Sequence, residues 1–163
     1  MRQPNQRHLN VDGSVTVTTY TGDHVLLDVS TLELIGKHNI EITRRGYARI
    51  RQGNKRVSLH RLIVQPAAGL VVDHINFNKL DNRIQNLRIC THKDNSHHST
   101  MRSKNKSGYR GVVWHKRDRR WQASIRDGKI IFLGNFDTAV EAALAYNVSA
   151  IKYHKGFASL NVI

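Results

Sequence analysis

The chain has 163 residues, and its 26 Lys and Arg against 12 Asp and Glu give a formal net charge of +14. No apolar run approaches the roughly 20 residues of a membrane span, and residues 1–13 lack the apolar stretch of a signal peptide. The single cysteine, Cys90, excludes an internal disulfide and a Cys-rich zinc site. We therefore expect a cytoplasmic, non-secreted protein without zinc, whose excess charge meets a polyanion such as nucleic acid.

The positive charge is concentrated in one part of the chain. Residues 101–129 carry ten basic and two acidic side chains, a net charge of +8, whereas residues 57–100 carry only +2. A charge that serves solubility alone is scattered, so this concentration predicts a binding surface. A solvated basic face without a partner is the alternative.

The first strands are predicted from alternation. β-branched and polar residues alternate from Ser14 to Thr18, a second apolar run covers Val25–Leu27, and Thr21-Gly22-Asp23 lies between them as a turn. Residues 30–36 fit either a short helical turn or a strand. We expect residues 1–56 to be rich in β-structure and to extend the contact with DNA.

A basic hairpin is predicted at the end of this region. Residues 46–51 and 55–60 flank Gln52-Gly53-Asn54, where a glycine suits the turn. Its outer face is predicted to carry four cations, of which the first two are candidate DNA contacts: Arg49, Arg51, Lys55 and Arg56.

A strand–loop–strand–helix unit follows. Residues 70–74 form a short apolar strand that ends in Asp73 and His74, a polar loop covers 75–83, and Leu87–Cys90 forms the second strand. Thr91 and Asp94 have the spacing of a capping box, so a helix should begin near His92. Cys90 is expected to be a small buried hydrophobe.

The candidate catalytic residues lie in this unit. Carboxylate and amide oxygens such as those of Asp73 and Asn95 suit a hard cation like Mg²⁺, which leaves further positions for water and phosphate. The imidazole of His74 can take a proton from water near neutral pH. A local hydrogen bond of His74 at the strand end is the alternative. Four loop residues are expected to satisfy turn backbone rather than bind metal: Asn76, Asn78, Asp81 and Asn82.

The same unit resembles the HNH nucleases of the phage and intron homing-endonuclease type. The residues that carry the resemblance are HRLI at 60–63, VVDHINFNKLDNRIQNLRICT at 71–91 and KDN at 93–95. The resemblance implies a ββα-metal fold, with His74 as general base and with Asp73 and Asn95 as metal ligands. Asn86 would be the middle asparagine of the motif, tying the loop to the helix. Asn95 occupies the position of the second histidine in the letters HNH, so this chain would belong to the asparagine-terminated subgroup.

Two further histidines are candidates with open alternatives. His60 matches a recurrent family position and either supports the site or packs beside the strand. His98 lies three residues after Asn95 and either approaches the phosphate or is a solvated surface residue.

The C-terminal part follows a basic linker at 99–107 and has a clear pattern. Strands are predicted at Tyr109–His115, around Trp121, Ala123 and Ile125, and at Lys129–Leu133, with Asp127-Gly128 as a hairpin turn. Thr138 and Glu141 form a capping box that opens a helix. Small residues share one face of this helix, so three antiparallel strands covered by one helix are expected. Trp121 is expected to lie in the core.

Residues 107–163 resemble the plant ethylene-response-factor (APETALA) DNA-binding domain in its mobile-element version. The matching segments are SGYRGVVW at 107–114, RRWQASIRDGK at 119–129, FLGNFDTAVEAALAYNVSAIKY at 132–153 and GFASLN at 156–161. The resemblance implies a sheet laid in the major groove of duplex DNA. Plant members often have arginine, glutamate, arginine and tryptophan at four positions that differ here: Val113, Ser124, Ile130 and Phe132.

Two groups of DNA contacts are expected in this part. Arg110 and Arg126 keep the positions of family DNA-contact arginines. A second group is expected to contact the DNA backbone: Arg117, Arg119, Arg120 and Lys129. His115 and Lys116 are further DNA-binding candidates, which lie beside a one-residue length difference from the family.

The sequence thus predicts an α+β protein in four parts. A β-rich DNA-contact region (1–56) leads into an HNH nuclease motif (57–98), a basic linker (99–107) and an ethylene-response-factor-like DNA-binding domain (108–163). We expect a monomeric endonuclease that uses Mg²⁺, with Mn²⁺ as a substitute, to nick double-stranded DNA. It should need neither a membrane nor a small-molecule cofactor. A catalytically inactive DNA-binding regulator and an RNA-processing protein are the rival interpretations.

Overall fold

The computed structural model describes residues 5–99 and 105–163. Their contacts divide the chain into an N-terminal unit, residues 1–92, and a C-terminal unit, residues 93–163. This division falls after His92, inside the segment predicted as the nuclease motif, and residues 1–56 share a unit with 57–92. Residues 100–104 of the predicted linker lie outside the described residues, and the four-part division stays a prediction.

Two small antiparallel sheets form most of the N-terminal unit. The first has the order β1-β2-β3, and the second has the order β4-β5-β6. The strands are β1 (Gln6–Leu9), β2 (Ser14–Thr18), β3 (His24–Asp28), β4 (Ile40–Ile42), β5 (Ala48–Gln52) and β6 (Lys55–Ser58). Alternate apolar residues of β2, β3 and β5 point inward, and Val17, Val25 and Ile50 lie in one shared core.

Two short helices close this core. Helix α1 (Val29–Ile35) follows β3, which resolves the ambiguity of residues 30–36 in favour of a helix. Helix α2 (Leu59–Val64) follows β6 directly and buries Leu59 and His60. The prediction that the strand extends to residue 60 was therefore wrong at its end.

The predicted basic hairpin is present, with one correction to its outer face. Arg51 pairs with Arg56 and Arg49 pairs with Ser58, so Arg49, Arg51 and Arg56 share a face. Lys55 pairs with Gln52 and therefore lies on the opposite face, because neighbouring residues of a strand alternate. Arg49 is bound by Glu41 of β4, with Nη2 and Oε2 3.2 Å apart.

The predicted strand–loop–strand unit completes the N-terminal unit. β7 (Val71–His74) pairs antiparallel with β8 (Leu87–Cys90), and a 3₁₀ turn at Ile84–Asn86 leads into β8. Cys90 is buried, as expected. Helix α2 packs against both strands, which brings His60 to the end of β7.

The C-terminal unit has the predicted three strands and long helix. β9 (Val112–His115), β10 (Arg120–Asp127) and β11 (Lys129–Phe136) form an antiparallel sheet with β10 in the middle. The short helix α3 (His92–His97) precedes these strands. Helix α4 (Ala139–His154) begins with the capping box of Thr138 and Glu141 and buries Ala142, Ala143, Tyr146 and Ala150. The first strand begins at Val112 rather than at Tyr109.

Gly111 accounts for the close approach of α4 to the sheet. Its φ is +72°, and a Cβ there would lie 2.2 Å from the Tyr146 ring and 2.5 Å from the Ser124 carbonyl oxygen. Only glycine fits this conformation and this space. Within the described residues, no helix has the length and apolar character needed to cross a membrane.

Candidate functional site

Asp73 and His74 end strand β7, where the short strand pairing fixes both side chains. Asp73 lies opposite Arg88 of β8, and the Arg88 guanidinium contacts Asp73 Oδ2 through Nε at 2.9 Å and Nη2 at 2.8 Å. Both Asp73 and His74 are buried. The candidate carboxylate therefore already has a cationic neighbour from the chain itself.

His74 belongs to a cluster of three rings, Tyr47, His60 and His74, called the His74 cluster below. The His60 and His74 rings meet edge to face with their centroids 5.3 Å apart, and Tyr47 lies 5.3 Å from His60 and 6.0 Å from His74. Lys79 Nζ lies 4.6 Å above the Tyr47 ring and donates to the Arg45 carbonyl. His60 thus packs against His74 itself.

Burial keeps both histidines of the cluster neutral at pH 7. It lowers the pKa of His60 to about 4, and the neighbouring His74 and Arg61 add to that effect. Burial also lowers the pKa of His74, although the Asn82 side chain and the carboxylates of Asp73 and Asp81 oppose the shift. A neutral imidazole can accept a proton, which a general base requires.

Asn86 holds the ends of the polar loop together. Its Oδ1 accepts from the Asn76 backbone N–H at 3.0 Å, and its Nδ2 donates to the Asp81 carbonyl at 2.8 Å. Its backbone carbonyl accepts from Ile75 N at 2.9 Å, next to His74. These bonds tie Asn86 to the loop, and its predicted link to the helix stays a prediction.

The loop side chains satisfy turn backbone, as predicted. The Asn76 and Asn78 side chains accept from the N–H groups of residues 78 and 80, and Asp81 accepts from Arg83 N. Asp81 is also bound by the Arg83 guanidinium at 2.8 Å, which holds the pKa of that carboxyl below its usual value.

Strand β3 supports the loop from the N-terminal side. Leu26 N donates to the Leu80 carbonyl at 2.9 Å, and Asn82 N donates to the Leu26 carbonyl at 2.8 Å. Asp81 and Asn82 are only 1% and 0% exposed as a result. Residues 1–56 therefore have a structural role in holding the loop, in addition to the predicted contact with DNA.

Asn95 and His98 belong to the C-terminal unit with helix α3 (His92–His97). Within that unit, Lys93 Nζ binds Asp127 Oδ1 at 2.7 Å, and the His97 ring stacks on His154 at 3.8 Å with an interplanar angle of 10°. Ser159 Oγ also donates to the His97 carbonyl at 3.4 Å. The structure thus groups Asp73, His74, His60 and Asn86 in one unit and describes Asn95 and His98 in the other.

The candidate DNA-contact residues of the C-terminal unit run from Arg110, before β9, through the turn from β9 to β10 and along β10 to Lys129 at the start of β11. His115 Nδ1 and Arg117 Nε both lie 3.2 Å from the Asp118 carboxylate, and Arg120 Nη2 lies 3.0 Å from Asp137 Oδ1. The Arg110 guanidinium donates to Ser99. The others are exposed: Lys116, Arg119, Arg126 and Lys129.

The sheet has two contrasting faces. The face toward α4 buries Ala123 and Ile125, and Trp121 packs against this core, as expected. The opposite face, called the outer face below, is given by the strand register and carries Val113, Arg120, Gln122, Ser124, Arg126, Ile130 and Phe132.

Sequence reasoning missed three partners of the site. Arg88 is the cross-strand neighbour of Asp73, and Tyr47 contacts His74 from a distant hairpin. Asn82, predicted only as a turn residue, interacts with the His74 side chain and opposes the lowering of its pKa. Pairing the two predicted strands outward from the loop that joins them could have indicated that Arg88 lies opposite Asp73. Nothing in the local sequence points to Tyr47.

Comparison with known proteins supports the nuclease interpretation. Residues 57–97 match the family model described as HNH endonuclease. An HNH endonuclease of Acanthamoeba polyphaga mimivirus is 28% identical over 149 residues, covering 87% of this chain and 76% of that relative. The prediction of a nuclease enzyme with an HNH endonuclease domain is confirmed by these matches.

Plant transcription factors match a shorter stretch. An AP2-like ethylene-responsive transcription factor of Arabidopsis thaliana is 46% identical over 58 residues, which are 35% of this chain and 12% of that protein. An APETALA2-like protein of Oryza sativa subsp. indica is 48% identical over 56 residues, 34% of this chain and 13% of its own. The chain therefore matches only about an eighth of the length of these plant relatives.

The donor chemistry of the site fits a divalent metal, which HNH nucleases use. The described part of the chain holds no group of three His, Cys, Asp or Glu side chains that could bind a metal ion. A single carboxylate leaves most of the coordination shell to water and phosphate, which is how Mg²⁺ is commonly bound. A cation held by Asp73 would share that carboxylate with Arg88.

Proposed function

We propose that this chain is a metal-dependent DNA endonuclease of the HNH homing type that hydrolyses one strand of duplex DNA per active site. The observation that carries the proposal is the buried His74 beside Asp73 at the end of β7, inside the segment that matches HNH endonucleases. In this proposal β7, β8 and α3 are the elements of a ββα-metal motif, and the protein acts in the cytoplasm, that of a bacterial host if it is phage-encoded.

His74 acts as the general base in this mechanism. Its imidazole takes a proton from the water that attacks phosphorus, and its lowered pKa keeps it ready to do so at pH 7. His60 and Tyr47 fix the orientation of the ring by packing against it. Asn86 positions the loop that follows His74.

Asp73 and Asn95 are the residues that would hold the metal. A Mg²⁺ or Mn²⁺ ion bound there would supply Lewis-acid stabilisation of the charge that develops on the phosphate and on the leaving 3′ oxygen. Cleavage leaves a 5′-phosphate and a 3′-hydroxyl. A monomer has one site, so it nicks the duplex and needs a second event to cut both strands.

The C-terminal unit serves as the DNA-binding module in this proposal. Its outer face and the exposed cations near it would meet the major groove and the phosphates: Arg110, His115, Lys116, Arg117, Arg119, Arg120, Arg126 and Lys129. Arg49 and Arg51 would extend the contact from the N-terminal hairpin. The +8 charge of residues 101–129 supports this assignment.

Nicking of supercoiled plasmid tests the proposal. Wild type with Mg²⁺ or Mn²⁺ should convert supercoiled into open-circular DNA, and His74→Ala should lower the rate by about 10²–10⁴-fold, the usual contribution of a general base. Affinity for the plasmid in EDTA should not change. His38→Ala, an exposed histidine of the same unit, is the matched control and should nick like wild type.

Two results would replace the proposal by a rival. DNA binding without metal-dependent nicking would favour a regulator built on the same modules. The Arg88–Asp73 ion pair is compatible with that outcome, because Arg88 occupies the carboxylate that would hold the metal. Tighter binding of structured RNA than of duplex DNA in competition would favour an RNA-processing protein.

A further inference from the structure

The outer face of the C-terminal sheet combines exposed apolar side chains with cations. Val113, Ile130 and Phe132 are 53%, 64% and 59% exposed. They lie on the outer strands β9 and β11, on either side of the polar residues of β10. Exposed apolar groups that cluster on a structured surface indicate a contact site.

The strand register places these apolar groups beside polar ones. Phe132 pairs with Ser124, Ile130 pairs with Arg126, and Val113 pairs with Gln122. Cross-strand partners share a face, so each apolar side chain has a hydrogen-bonding side chain as its neighbour. The face thus offers alternating apolar and polar contacts.

Charge identifies duplex DNA as the occupant. Arg120 and Arg126 lie on this face, and Lys116, Arg117, Arg119 and Lys129 are exposed near its edges. A second copy of the chain would bring the same cations against them, whereas a polyanion complements them. A sheet can enter the major groove, so its exposed side chains can reach base edges.

The major groove contains one apolar group, the C5-methyl of thymine. Apolar side chains read that methyl, and the carboxamide of a glutamine can pair with N6 and N7 of adenine. We propose that the outer face recognises A·T base pairs, with Phe132, Ile130 and Val113 contacting thymine methyl groups and Gln122 contacting adenine. This proposal rests on the proposed DNA-binding function of the C-terminal unit.

Substitution of deoxyuridine for thymine tests the proposal. The preferred duplex is first selected from a randomised pool by the full-length protein in EDTA, which prevents cleavage. Each thymine is then replaced by deoxyuridine, which removes the methyl group and leaves every hydrogen-bonding group of the base in place. We expect the affinity to fall about fourfold at each contacted thymine, the effect of exposing one buried methyl group.

Substitutions in the protein locate the contact. Phe132→Ala should abolish the difference between thymine and deoxyuridine at one position, and Ile130→Ala should do so at another. Leu144→Ala, an exposed apolar residue of α4 with 49% exposure, is the matched control and should preserve every difference. All three residues are exposed, so these variants should fold, which circular dichroism would check.

The outcomes separate this inference from the proposed function. Equal affinity for thymine and deoxyuridine, in a protein that still selects a duplex sequence, would overturn the A·T assignment and keep the DNA-binding role. A selected site with only G·C pairs would do the same. Absence of any preference among duplexes would overturn the role of the C-terminal unit as a DNA reader.

Discussion

The His74 cluster and the outer face of the C-terminal sheet differ in what they expose. Around His74 the polar residues are buried, with Asn82 at 0% exposure. On the outer face the arginines and the apolar side chains are exposed, and Gln122 and Ser124 are half-buried. Catalytic side chains need a fixed and partly desolvated position before the substrate binds. Side chains that recognise a partner are exposed in the free protein and become buried when the partner binds.

The two regions also differ in charge. Residues 57–100 carry a net charge of only +2, and residues 101–129 carry +8. Affinity for phosphate needs cations within reach, while a cleavage site can take its positive field from a bound metal. In the proposed enzyme residues 101–129 therefore supply much of the affinity for DNA, and His74 supplies the general base.

The largest expected effect is a loss of stability that is confined to the C-terminal unit. Gly111→Ala adds a Cβ in a positive-φ conformation and against the Tyr146 ring, so we expect the C-terminal unit to lose more than about 3 kcal/mol of unfolding free energy. Urea unfolding followed by Trp fluorescence would measure it. Gly128→Ala, where a Cβ meets nothing within 4 Å, should cost only about 1 kcal/mol. Equal costs would contradict the close approach of α4.

A smaller change addresses the loop of the N-terminal unit. Asn86→Ala removes two side-chain bonds to the backbone of Asn76 and Asp81, so the unfolding free energy should fall by about 2 kcal/mol. The nicking rate should fall more than the affinity for DNA. Asn78→Ala, in the exposed part of the same loop, is the control. Loss of affinity without loss of rate would assign Asn86 to DNA binding instead.

The pKa of His60 gives the N-terminal unit a pH dependence. The folded protein keeps His60 neutral to about pH 4, whereas the unfolded chain protonates it near pH 6.5, so unfolding takes up a proton between these values. The unfolding free energy should therefore fall by about 1–3 kcal/mol as the pH drops through this window. His60→Phe keeps the ring and should remove this part of the slope. An unchanged slope would mean that His60 is protonated in the folded state.

The smallest expected effects distinguish the arginines of the C-terminal unit that contact phosphates from those that contact bases. Arg119→Ala with Arg120→Ala should lower the slope of log affinity against log salt by about 2 and keep the sequence preference. Arg110→Ala with Arg126→Ala should weaken the preference itself. Equal loss of preference in both double variants would contradict the division into phosphate and base contacts.

Elements with a local signal were predicted well. Gly53 marks the basic hairpin, and Thr138 with Glu141 marks the start of α4. Strand β1 was missed because all of Gln6–Leu9 is exposed and only pairing with β2 defines it. Helix α2 was missed because its six residues are too few for a helical period, and the burial of Leu59 and His60 fixes them.

The candidate site shows the same limit. Resemblance to HNH nucleases indicated Asp73 and His74, whose side chains are neighbours in the sequence. Arg88 lies on the paired strand β8 and Tyr47 directly precedes β5, so only the folded chain reveals these partners. The outer face was partly predictable, because alternation along β10 places Gln122, Ser124 and Arg126 on one side.

The attachment of α3 to the C-terminal unit has a consequence for protein engineering. Lys93 and His97 take their partners, Asp127 and His154, from β10 and α4. A chimera that exchanged the C-terminal module at residues 99–107 would leave α3 without both anchors. An exchange that begins at Lys93 would keep both contacts, but it would also replace Asn95, the proposed metal ligand, so the two modules of the proposed enzyme are not independently exchangeable.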